Sequence, residues 1–132
     1  SKEFKKTNGV IKIFLKSTFT PEDDMEGMVE YGLSVVTNEP EEALRMYHEA
    51  ISLYEGNDRK YPLPAEIIDL SIAIVLNIAK VDIQHAINLL DIIEIEEFRV
   101  ETIDKLLLVT DDKESKSVLE DMKKWAMKKY RR

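Results

Sequence analysis

The chain has 132 residues, 44% hydrophobic and 34% charged, which is enough for one domain with a real core under a well-solvated surface. It has no Cys and only two His, His48 and His85, so disulfides, thiolate metal sites, cysteine nucleophiles and a His-rich metal centre are all excluded. The net charge of −7 is uneven: residues 1–20 carry +4 (five Lys, one Glu), residues 21–60 and 61–112 carry −8 each (three bases, eleven acids), and residues 113–132 carry +5 (eight bases, three acids).

An acidic body between two basic ends repels a nucleic-acid duplex over most of its surface, so strong nucleic-acid binding by the domain is not expected. The longest apolar stretch, 67–79, contains Asp69 and is too short to span a bilayer. Four Gly and four Pro are few for a multi-stranded β-protein and ordinary for a helical one. Ser1 in place of an initiator Met suggests a piece of a longer protein. The expectation is a flexible basic segment over 1–9 and a single helical interaction domain over 10–132.

In chain order, residues 10–16 (VIKIFLK) read as a short helix. Thr20-Pro21-Glu22-Asp23 then forms a helix start, with Thr20 as cap and Pro21 in the first turn. That second helix runs to about Thr37 and buries Met25, Met28, Val29, Leu33 and Val36, although Gly27 and Gly32 each cost about 1 kcal/mol relative to Ala. Asn38 is placed to cap a third helix over 39–54, whose Ala43, Leu44, Tyr47, Ala50, Ile51 and Tyr54 follow helical spacing. Pro62 and Pro64 make 58–64 an extended connector. Residues 65–79 are apolar on nearly every side, the mark of a central helix buried all round.

Asp82 caps a short helix expected over 83–93, and another covers 97–108. Asp111 and Glu114 form a capping-box pair that opens the last helix, to about Tyr130. Its apolar stripe reads Val118, Leu119, Met122, Trp125, Ala126 and Met127. Acids open this helix and Lys123, Lys124, Lys128 and Lys129 close it, the polarity that the macrodipole favours. The total is an all-α fold of about six to seven short helices, either a compact bundle or a right-handed, helical-repeat-like stack.

Catalytic signatures are absent: there is no P-loop, GxSxG or HExxH. His48 beside Glu49, and His85 after Gln84, read as solvated or structural residues. The acid run Asp91, Glu94, Glu96, Glu97 lacks the alternating ligands of a Ca²⁺ loop. No enzyme activity and no cofactor or metal are expected. Near the C-terminus, lysines interleave with Trp125 and Tyr130 in a pattern compatible with RNA contact, but the wheel assigns Trp125 to the core side. A third group is Tyr47, Ile51 and Tyr54 on one helix with Arg59, Lys60 and Tyr61 in the connector. Aromatic and apolar residues beside Arg and Lys suit a pocket for an acidic, aromatic-bearing peptide, and these six are the candidate partner-binding residues.

Two families are resembled. Ala43-xxx-Tyr47-xx-Ala50 after Tyr31-Gly32 resembles one tetratricopeptide repeat, without a second copy. Over about 50–130, the residues Ala50-Ile51, Asp58-Arg59-Lys60, Leu63-Pro64, the apolar helix, and the closing Asp112-Lys113-Glu114-Ser115, Leu119 and Trp125 resemble the TFIIS N-terminal-domain superfamily. Within it the likeness is to the core domain of the Iws (Spn) transcription-elongation factors. Where that family carries a Gly-Ile-Gly-type stretch, this chain has Glu96-Glu97-Phe98-Arg99-Val100. The resemblance implies a non-enzymatic docking module that takes a short disordered segment of an Spt-family histone chaperone travelling with RNA polymerase II; a nuclear location and a monomer are the accompanying expectations. The alternative expectation is a tetratricopeptide-like or viral helical adaptor with an unrelated protein partner.

Overall fold

A computed structural model describes residues 21–56 and 63–130, and these are helical throughout apart from short connections. The helix expected over 10–16, the Thr20 cap, the 1–9 segment and most of the 58–64 connector lie outside the described residues. Six α-helices occur among the described residues: α1 (Pro21–Val35), α2 (Pro40–Gly56), α3 (Ala65–Ala79), α4 (Ile83–Asn88), α5 (Glu96–Val109) and α6 (Lys113–Tyr130). A 3₁₀ turn, Leu90–Ile92, follows α4. The all-α class read from the sequence is the class observed.

The centre of the fold is α3. It packs against α1, α2, α4 and α5, while α1 pairs with α2 and α5 with α6. Its Ile67, Leu70, Ile74, Val75 and Ile78 are all at or below 1% exposure. The one polar side chain among them, Ser71, donates its hydroxyl to the Ile68 carbonyl (2.7 Å), which removes the cost of burying it.

Gly32 sits where α1 meets α3, and a Cβ there would lie 2.9 Å from Leu70 Cδ2. The glycine that weakens α1 as an isolated helix therefore permits its closest approach to the core. Leu33, expected inside, is 38% exposed, because the buried position at that turn belongs to Gly32.

Three helix starts shift by one residue; α5 opens at Glu96 rather than Glu97. The Ala43 N–H donates to the Glu39 carbonyl (3.1 Å), so α2 begins at Pro40 with Glu39 rather than Asn38 in the cap position. At α6 the capping acid is Asp112, not Asp111. Its carboxylate accepts from the Ser115 N–H (2.9 Å) and from the Ser115 hydroxyl (2.7 Å). Those two bonds, the hydroxyl first, hold the Asp112 carboxyl below the usual carboxylate range.

The helix expected over 83–93 is broken. Asp82 caps it as expected, accepting from the His85 N–H (3.2 Å), but Leu89 turns to φ −89°, ψ −5° and the pattern tightens to 3₁₀. With three residues per turn, Leu90 and Ile93 stack on one side, and both are fully buried. The turn also presents the Ile92 carbonyl to the Tyr47 hydroxyl, which donates to it at 2.8 Å and ties α2 to this corner.

Candidate docking surface

The six candidate partner-binding residues divide in two. Tyr47 and Tyr54 are buried, at 4% and 8% exposure, on the inner side of α2, and Ile51 is half-buried against the core. Arg59, Lys60 and Tyr61 lie outside the described residues. Burial, with acidic Glu94 and Glu55 nearby, pushes the Tyr47 phenol up to about 12. A ring so held is a structural tie between elements.

His48 is exposed and makes an edge contact with Tyr47 (centroids 5.7 Å apart), and His85 Nδ1 lies 3.4 Å from Glu41 Oε1 across α4 and α2. Among the described residues, no group of three His, Cys, Asp or Glu side chains is placed to hold a metal ion. No helix among them is long and apolar enough to cross a membrane.

The largest departure from the sequence reading lies on α6. Trp125, expected in the core, is 69% exposed. The stripe that faces the fold is Ser115, Leu119, Met122 and Ala126, spaced i, i+4, i+7, i+11: three buried residues and one half-buried. Adjacent residues on a helix point about 100° apart, so Ala126 on the seam turns Trp125 to the flank. Val118 (40%) and Met127 (38%) are likewise outside. Small residues at both ends of the seam let α6 lie close to its neighbours, as the bond from Gln84 Nε2 to Ser115 Oγ (2.8 Å) shows.

What surrounds Trp125 is strongly basic. The last eight residues of α6 hold four lysines and no acid. Lys123 is engaged by Asp104 of α5 (2.6 Å). Lys124, Lys128 and Lys129 are exposed, and none of the ion pairs found among the described residues uses them. Helical spacing puts Lys128 one turn beyond Lys124 on the outward face, and Lys129 one turn beyond Trp125 on the flank. Beside Lys124 and Lys128 an open depression of about 370 Å³ is lined, among the described residues, by these two with Lys123 and Met127. An exposed aromatic side chain beside exposed lysines can meet both parts of an anionic group that carries an apolar side chain.

The misreading of Trp125 had a sequence-level remedy. The four-residue and three-residue steps from Ser115 to Ala126 mark the inner seam, once small residues are allowed to define it. No protein-family model matches the chain, and comparison with curated proteins and with solved structures finds no match.

Proposed function

We propose that this chain is a non-enzymatic docking module that captures a short acidic, aromatic-bearing segment of a partner protein on the C-terminal face of α6. The observation that carries the reading is the exposed Trp125 beside Lys124, Lys128 and Lys129, three lysines that no ion pair found among the described residues engages. A disordered segment gives up ordering entropy when it binds, so its affinity must come from a few anchors, and an aromatic ring packed on Trp125 is one. Partner carboxylates opposite the lysines set orientation and speed the encounter. The setting we propose is nuclear transcription elongation, with the segment supplied by an Spt-family histone chaperone. The support for that setting is the likeness of residues 50–130 to the Iws elongation factors.

Calorimetric titration at two salt concentrations tests the reading, using a peptide with several Asp or Glu and one Phe. One-to-one binding that weakens with salt, and is lost in Trp125→Ala and in Lys128→Glu, is the expected result. No heat at either salt concentration, with the domain shown to be folded, overturns it. Equal affinity for a composition-matched peptide and for the chaperone segment would keep the site and remove the elongation setting.

A further inference from the structure

We infer that the flank of α6 is self-complementary, so that two copies of the chain pair through it, antiparallel, and cover the docking surface. Glu114, Val118, Met122, Trp125 and Lys129 follow one another at i, i+4, i+8, i+11 and i+15 along that flank. Glu114 and Lys129 are exposed, Val118 and Trp125 are exposed apolar side chains, and Met122 is half-buried between them. No ion pair found among the described residues engages Glu114 or Lys129. Read along the helix the chemistry is acid, apolar, apolar, aromatic, base.

That order complements its own reverse. A two-fold axis beside Asp121 and Met122 brings Glu114 level with Lys129 of the second copy, and Val118 level with Trp125 of the second copy. Symmetry makes each contact twice. A parallel arrangement would set Lys129 on Lys129 and Glu114 on Glu114, so the charges select the antiparallel pair. Each Trp125 would exchange water for the Val118 flank of the other copy, the main favourable term for an exposed indole.

A single pair of helices buries less than a standard interface, so the dimer is weak and exchanges readily, with half-dissociation in the micromolar range or above. The sequence leads to the expectation of a monomer, and the pairing makes that monomer the dilute or partner-bound form. The regulatory consequence rests on the docking reading, whereas the pairing itself does not: a partner segment must displace the second copy, so its apparent affinity falls as the chain is concentrated.

Charge exchange tests the inference by sedimentation equilibrium across a concentration series, with circular dichroism confirming the fold of each variant. The unmodified chain is expected to dimerise. Glu114→Lys and Lys129→Glu, each alone, place like charges twice in the pair and are expected to weaken it about tenfold or more. Mixed in equal amounts, the two variants restore both opposite-charge pairs and are expected to dimerise again. Trp125→Ala is expected to be monomeric throughout.

A chain that stays monomeric at every concentration overturns the inference. So does a dimer that survives Glu114→Lys, Lys129→Glu and Trp125→Ala alike. The acidic Phe peptide, titrated in the dilute monomeric range, separates the two readings: binding without any dimer keeps docking and removes self-pairing, and a dimer without peptide binding does the reverse.

Discussion

Helices α3 and α6 are of similar length and both carry a run of large apolar side chains, yet they do opposite work. In α3 such residues occur on every side and the helix is the centre of the fold: Ile67, Leu70, Ile74, Val75 and Ile78 are fully covered, whereas Ile68, Ile72 and Leu76, on the side expected to be buried as well, are half-buried. In α6 they lie on one seam and on both of its flanks, but only the seam is covered, so Val118, Trp125 and Met127 remain at the surface. A large apolar residue on a helix is therefore core only if another element is there to meet it. The number of neighbours, set by position in the chain order, decides the matter more than side-chain size does. The fold rests on α3 and the proposed docking on α6, and the two are separable by substitution.

The sharpest contrast comes from truncating each helix in turn. Ile74→Ala removes a fully buried side chain from α3 and is expected to cost about 2–5 kcal/mol in urea unfolding. A loss below about 1 kcal/mol would mean that α3 is not the packed centre. Next in size, Gly32→Val drives a branched side chain into Leu70, and overpacking of this kind costs about 1–3 kcal/mol. An unchanged melting temperature would remove the close α1–α3 approach.

Tyr47→Phe deletes the bond to the Ile92 carbonyl and is expected to cost about 0.5–1.5 kcal/mol. The same phenol has a pH signature. Its value is raised from 10.0 to about 12 in the fold, so the phenolate is disfavoured there relative to the unfolded chain. Its contribution is complete below about pH 10 and drains away as the pH climbs towards 12. Stability measured across that interval should fall more steeply in the unmodified chain than in Tyr47→Phe. Parallel curves would free the ring from its buried site.

The smallest expected effect belongs to Trp125→Ala, within about 0.5 kcal/mol of the unmodified chain, although it deletes the largest side chain in the sequence. A loss of several kcal/mol would return Trp125 to the core and dissolve the contrast between the two helices.

Much of the architecture was legible because it is written in periodicity and caps. The bounds of α3 coincide with the expected ones, and Asp82 caps α4 as its chemistry requires. Other features depend on tertiary contacts that no local pattern carries. The 3₁₀ break at Leu89 aligns Leu90 and Ile93 with a core supplied by other elements, and Gly32 matters only because Leu70 lies opposite. At the candidate site the residue types were legible but their placement was not. Tyr47 and Tyr54 have the chemistry of anchors but face inward from α2, and Trp125 has the hydrophobicity of a core residue but lies one step off the Ser115–Ala126 seam.

Trp125 is the one tryptophan in the chain, so its fluorescence reports on the disputed position without interference from another indole. The most direct measurement is acrylamide quenching of that emission in dilute folded protein, compared with the same protein unfolded in urea. An exposed indole predicts nearly equal quenching in the two states, and protection of the folded form when the acidic Phe peptide is added. Strong protection in the dilute folded protein before any peptide is added would contradict it and place the indole inside the fold.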